Sequence, residues 1–129
     1  MGPTQIQIDQ NKAIIEAQPG VYRSLYVKAN AKTPQFVTVR VDDVDYNFSG
    51  TGEYGTVIGY TQLPPAFHRL EVISQYALGE DRPEKLPSKA VRNAPPTRIE
   101  TLNSLVLVCE NGDDDGYNDV LVELMGYSP

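Results

Sequence analysis

The sequence predicts an all-β protein, specifically an antiparallel β-sandwich with Greek-key connections and about nine strands. The first reason is that apolar and polar residues alternate in several short runs, which turn-forming residues separate every 8–12 residues or so, roughly the spacing of a sandwich. The second is composition, because ten Gly, ten Pro and eight Tyr suit short strands joined by turns. A chain of 129 residues can close one core, so residues 1–129 are expected to form a single domain.

The strands are predicted from these runs in chain order. Alternation occurs at 5–8, 21–28, 36–41 and 68–74, and strongly apolar runs occur at 105–109 and 120–125. Breaks are expected at Pro19-Gly20 and at 31–34, a tight hairpin at Asp42-Asp43, and a β-turn at 50–55. The segment 79–97 contains four prolines and no clear period, which predicts a long loop. The core faces are expected to include Val37, Val39, Val41, Leu70 and Val72.

The acidic residues are concentrated in one segment. Five of the 17 lie within 110–119, whereas the rest of the chain carries 12 acidic and 11 basic residues. This segment lies between two apolar strands, which would force its carboxylates together, and such crowding calls for a counter-cation. The five acids are Glu110, Asp113, Asp114, Asp115 and Asp119.

Calcium is the cation that this segment predicts. Calcium takes six to eight oxygen ligands, and carboxylates, amide carbonyls and backbone carbonyls on a turning loop provide them. Cys and His, which favour zinc or copper, are almost absent nearby. The single Cys109 allows no internal disulfide and is predicted to be a buried, inert thiol.

The acidic segment has two other interpretations. A solvated acidic hairpin is disfavoured because the apolar flanks hold the carboxylates close. A helix–loop–helix calcium hand fits at its first, third, fifth and sixth positions, but its twelfth position would be Val122 instead of Glu, and the flanks are predicted strands. The four residues that fit are Asn111, Asp113, Asp115 and Gly116.

The segment also resembles the signature of the bacterial two-calcium fucose- and mannose-binding lectins of the PA-IIL type. The matching positions are an acid at the start, an Asp four residues later, and an Asn-Asp pair eight and nine residues later, preceded by Tyr117. Similar spacing recurs at Ala29-Asn30, at 48–50 and at 57–59, so the resemblance extends over 19–129. The signature residues here are Glu110, Gly112, Asp114, Tyr117, Asn118 and Asp119.

The resemblance implies a ligand set and a sugar site. It implies calcium ligation by Asn30, Glu110, Asp114, Asp115, Asn118, Asp119 and the terminal carboxylate of Pro129. It implies sugar contacts from Ala31, Lys32, Thr33, Asn111 and Asp114. The family usually has an Asp serving both ions where this chain has Gly116, so one or two ions are expected, with Asp115 as the substitute ligand. In the family the terminal carboxylate enters the neighbouring subunit's site, which implies a homodimer or homotetramer.

The predicted function is therefore calcium-dependent binding of mannose- or fucose-type glycans, without catalysis. The alternative is a β-sandwich module in which calcium stabilises the hairpin and no sugar binds. Nucleic-acid binding is disfavoured because no basic patch accompanies the tyrosines. No run has the length of a membrane span or signal peptide, so membrane insertion is not expected. We expect a cytoplasmic protein, or one secreted without a cleavable signal peptide.

Overall fold

The structure is a computed structural model, which describes residues 4–111 and 119–127. Within these ranges the chain forms ten β-strands and no α-helix, so the predicted all-β class is confirmed. Every strand pairing is antiparallel. The strands are β1 (Gln5–Asp9), β2 (Lys12–Glu16), β3 (Ser24–Val41), β4 (Val44–Gln62), β5 (Arg69–Tyr76), β6 (Leu86–Pro87), β7 (Ala90–Asn93), β8 (Thr97–Ile99), β9 (Leu102–Glu110) and β10 (Val120–Tyr127).

The long strand β3 joins the two layers of the sandwich. Its first half pairs with β10, followed by β9 and β7, and its second half pairs with β5, followed by β2 and β1. The edge strand β4 pairs with β3 along nearly its whole length. At the far ends of the two layers, β1 and β2 contact β7, so the curved sheet is nearly closed. The predicted sandwich is confirmed, with ten strands instead of about nine.

The core lies between these layers and follows the predicted alternation. Val37, Val39 and Val41 are buried on one face of β3, and Leu70 and Val72 are buried on β5. Side chains of β9 and β10 complete the core between the layers. The buried residues that these two strands contribute are Leu105, Leu107, Cys109, Val120, Val122 and Leu124.

The predicted hairpin at Asp42-Asp43 is confirmed. Val41 pairs with Val44, and the φ angles of Asp42 and Asp43 are 43° and 75°. Positive φ at both central residues is the pattern of a type I′ turn, whose twist matches that of the flanking strands. The Asp42 carboxylate also accepts hydrogen bonds from the backbone N–H groups of His68 and Arg69, which ties the turn to the start of β5.

Several predicted boundaries were wrong. The expected break at 31–34 and the expected turn at 50–55 lie inside β3 and β4, where the strands bulge instead of ending. The segment 79–97 contains β6 and β7 and ends at the first residue of β8. Strand β2 was not predicted, because Ala13-Ile14-Ile15 is a short apolar run without alternation. In the part of the chain that the structure describes, no helix has the length and apolar character needed to span a membrane.

Candidate functional site

The site is built where β3 and β4 bulge away from each other. Three residues of β4 (53–55) face the single residue Asn30, between the pairs Ala29–Thr56 and Ala31–Gly52. Three residues of β3 (32–34) then face one residue of β4, before pairing resumes at Gln35. The numbers of extra residues on β3 and β4 are equal, so the two strands pair in the same register before and after the two bulges. Bulges re-aim side chains without unfolding the strand, and here they do so where β3 passes between layers.

Asn30 connects this bulge to the base of the β9–β10 hairpin. Its backbone N–H donates to the carbonyl oxygen of Asp119 at 2.9 Å, and its side-chain oxygen accepts a hydrogen bond from the N–H of Tyr54 at 2.6 Å. Asp119 in turn accepts a hydrogen bond from the backbone N–H of Asn111, at Oδ2 and 2.8 Å. Two predicted ligands and one predicted sugar contact are therefore linked directly.

Thr33 receives two amide hydrogen bonds from opposite sides. Its Oγ1 accepts from Nε2 of Gln35 at 3.1 Å and from Nδ2 of Asn111 at 3.4 Å. Gln35 also donates to the carbonyl oxygen of Thr33 at 3.0 Å. A hydroxyl that accepts two hydrogen bonds still has its own hydrogen to donate. The arrangement therefore leaves the hydroxyl hydrogen of Thr33 available for donation, and its role as a sugar contact stays a prediction.

Gln35 is a residue that the sequence analysis missed. It is fully buried, and its Oε1 has no hydrogen-bond partner among the described residues. The signal was present in the alternation, because Gln35 lies on the same face as Val37, Val39 and Val41, and a polar residue on a core face needs an explanation.

Two predicted acidic ligands are buried at the hairpin base. Glu110 is 1% exposed and Asp119 is 4% exposed, and Oδ1 of the buried Asn111 has no hydrogen-bond partner within the described ranges. Two carboxylates and an amide oxygen are hard oxygen donors of the kind that calcium prefers. The residues present therefore fit a calcium ion, although the described residues include no group of three or more His, Cys, Asp or Glu placed to hold one.

Cys109 is not part of this donor set. It is buried in the core, and this burial raises the pKa of the thiol to about 12, although a hydrogen bond with Ser74 opposes the shift. A protonated thiol is a poor metal ligand and a poor nucleophile. The predicted burial of the thiol is confirmed, and its lack of reactivity stays a prediction.

The remaining predicted residues divide into two groups. Lys32 is 87% exposed at its side chain and pairs with Glu53 at 3.5 Å, so its ammonium group bridges the two bulges. Ala31 pairs with Gly52 at the point where the bulges meet. The predictions for Asp114, Asp115, Asn118 and Pro129 lie outside the described residues, as do Gly112, Gly116 and Tyr117 of the proposed signature.

Away from this site, a cleft of about 520 Å³ lies where the β3–β4 hairpin meets the start of β5. Three of its charged residues form ion pairs: Glu71 lies 2.9 Å from Arg69 and 3.6 Å from Arg40, and Arg40 lies 2.7 Å from Asp45, which is outside the lining. The hydrogen bond and charge of Arg40 lower the pKa of Asp45. The charges of this cleft therefore hold the hairpin end together, and none of the predicted site residues lines it.

A family model for fucose-binding lectin II (PA-IIL) matches residues 15–128, which include the bulges and the hairpin described above. The chain belongs to the PA-IIL family. This confirms the resemblance seen in the sequence, and it makes the chain a carbohydrate-binding lectin. A search of curated proteins found no match.

Solved lectin structures share the fold of this PA-IIL family member. A high-affinity mannose-binding lectin of Ralstonia solanacearum has 21% identity and a TM-score of 0.72, covering 90% of this chain and 96% of that one. Chromobacterium violaceum lectin CV2L, solved with α-methyl-fucoside, has 20% identity and a TM-score of 0.72, covering 94% and 99%. The C-terminal domain of Burkholderia cenocepacia lectin BC2L-C has 20% identity and a TM-score of 0.66, covering 95% and 100%.

Proposed function

We propose that this lectin binds mannose- or fucose-type monosaccharides through calcium held at the base of the β9–β10 hairpin, and that it catalyses no reaction. The observation that carries the proposal is the burial of Glu110 and Asp119 beside Asn30 and Thr33. Buried carboxylates are tolerated when a cation or hydrogen bonds compensate them, and these lie next to a hydroxyl oriented as a donor. The sugars named for the Ralstonia and Chromobacterium lectins support this choice of ligand.

Calcium would supply a hard cation whose coordination shell accepts sugar hydroxyls in place of water. Asn30, Glu110 and Asp119 are the predicted ligands among the described residues that would hold it, and the unpartnered side-chain oxygen of Asn111 lies beside Asp119. Thr33 would donate a hydrogen bond to a sugar oxygen, and the amide groups of Gln35 and Asn111 keep its hydroxyl oriented for that purpose. Lys32 would offer a second donor at the rim, where solvent screens its ion pair with Glu53.

Asp114, Asp115, Asn118 and the Pro129 carboxylate belong to the same proposal as further ligands. A terminal carboxylate shared between subunits would require at least a homodimer, and a homotetramer would satisfy the same requirement. Light scattering coupled to size exclusion, with and without calcium, measures this directly.

Isothermal titration calorimetry with methyl α-mannoside and methyl α-fucoside tests the central claim. We expect binding of at least one sugar in calcium and none after chelation. A matched control is Asp45→Asn, which removes an exposed carboxylate on β4 near the β3–β4 hairpin, away from the site, and should leave sugar binding unchanged. Calcium stabilisation without any sugar signal would favour the alternative, a structural module, and would refute the proposal.

A further inference from the structure

Tyr54 has an unusual backbone conformation and an unusual exposure. Its φ angle is 61°, and its side chain is 95% exposed. The other non-glycine residues with positive φ in the described ranges lie in turns between consecutive strands, whereas Tyr54 lies within β4. They are Gln10, Asp42, Asp43 and Glu100. Bulky side chains rarely adopt the left-handed region, and residues held there often mark functional sites.

The surrounding bulge keeps Tyr54 in this conformation. Its N–H donates to Asn30, and the Thr56 hydroxyl donates to the carbonyl oxygen of Glu53 at 3.0 Å. Glu53 is also paired with Lys32 on the opposite bulge. Gly52 is required here, because a Cβ at that position would lie 2.4 Å from Cβ of Thr56. The ring therefore projects into solvent one hydrogen bond away from Asn30, which is itself bonded to Asp119.

An aromatic ring held in this way at the rim of a sugar site suits a second sugar. Tyrosine provides a rigid apolar face at little cost in conformational entropy, with a hydroxyl for a polar partner. Pyranose rings have the same combination of an apolar C–H face and hydroxyl edges. The neighbouring groups are the charged ends of Lys32 and Glu53, which suit sugar hydroxyls better than the apolar centre of a protein interface.

We propose that Tyr54, flanked by Lys32 and Glu53, forms a second carbohydrate subsite that stacks against the sugar residue linked to the one in the first site. This inference rests on the proposed function, since the first sugar anchors the second. It assigns the lectin a preference for oligosaccharides with a mannose or fucose end over the corresponding monosaccharides. A single exposed stacking contact of this kind corresponds to a preference of about three- to tenfold.

The test uses three variants of the full chain. Tyr54→Asn removes the ring and is compatible with positive φ, so the variant should fold at least as stably as the parent. Tyr54→Phe keeps the ring, and Ile99→Ala is the control, because it removes an apolar side chain that is 70% exposed on β8, away from the site. Calorimetry in calcium compares methyl α-mannoside with α-linked mannobiose, and methyl α-fucoside with a fucose-terminated trisaccharide.

We expect Tyr54→Asn to lose the oligosaccharide preference while monosaccharide affinity stays within twofold of the parent. Tyr54→Phe and Ile99→Ala should behave like the parent. Equal affinities of the parent for monosaccharides and oligosaccharides would overturn the subsite, as would a preference retained in Tyr54→Asn. A change of oligomeric state in that variant with unchanged sugar preference would assign the ring to a subunit contact instead. If the parent protein binds neither monosaccharide in calcium, the proposed function itself is rejected.

Discussion

Replacing Asp119 by Asn should change the stability of the protein in opposite directions with and without calcium. Val120 pairs with Cys109, and the backbone N–H of Asp119 donates to the carbonyl oxygen of Cys109, so Asp119 and Glu110 lie at the facing ends of the two strands. Side chains that face each other across two strands are about 5 Å apart at Cβ. At an effective dielectric constant of about 20, two like charges at that separation repel by about 3 kcal/mol.

The substitution removes this repulsion while keeping an oxygen for the hydrogen bond from Asn111. Loss of charge in that bond costs about 1 kcal/mol, so the metal-free variant should gain about 2 kcal/mol of unfolding free energy. For a chain of this length, the gain corresponds to a midpoint temperature of thermal unfolding about 8 °C higher. With calcium at a hundred times its dissociation constant, the parent should gain about 2.7 kcal/mol, and the variant should lose most of that gain.

Differential scanning calorimetry in chelator and in calcium measures these shifts, with Asp45→Asn as the matched surface control. The melting order of parent and variant should reverse between the two conditions. If Asp119→Asn lowers the midpoint in chelator, the two carboxylates do not repel each other in the metal-free protein. If it keeps the full calcium shift, Asp119 is not a ligand. Either result would refute the reasoning.

Two further predictions concern the residues beneath the site. Gln35→Leu removes both hydrogen bonds to Thr33 together with a buried carbonyl oxygen, so the free energy of unfolding should change by no more than about 1 kcal/mol. Monosaccharide affinity measured by calorimetry should nevertheless fall at least about threefold. An unchanged affinity would show that Thr33 needs no support from Gln35. The Cys109 thiol should not react with Ellman's reagent at pH 8 until denaturant is added. Folding raises the pKa of this thiol from 9.0 to about 12, so its contribution to stability is complete below pH 9 and declines as pH rises towards 12. Cys109→Ala should flatten this part of the stability–pH curve. A steep decline in that variant would show that another group causes it.

The strands could be predicted where one face is buried, because burial imposes a period of two. This holds for 36–41 and 68–74, whose alternate residues are core residues. Strand boundaries were harder to predict near Pro34. Proline biases the preceding residue toward extended backbone, and it is tolerated in a strand at a bulge, so the same residue is compatible with an end or with a continuation. Tertiary pairing with β4 and β5 selects continuation.

The residues that the structure brings together at the hairpin base were easier to predict than the residues that support them. The acidic segment drew attention to Glu110 and Asp119 through charge alone, and the resemblance added Asn30 and Thr33, which the structure places nearby. Gln35 and Tyr54 were missed because their roles depend on the bulges, and bulge geometry arises from the pairing of distant segments. The positive φ angle of Tyr54 could not be predicted from its residue type, because tyrosine usually avoids this backbone conformation.

The matched insertions in β3 and β4 have an evolutionary consequence. Since each strand contributes the same number of extra residues, segments 32–34 and 53–55 can be exchanged for others of matched length while Ala29–Thr56 and Gln35–Gly50 stay aligned. A change of one residue on one strand alone would shift the pairing register by one residue, as the single-residue bulge at Ile58 does between Val27–Gly59 and Lys28–Val57. Ligand preference in such a scaffold can thus diversify in paired steps, and grafting these two segments together onto a related lectin should transfer it.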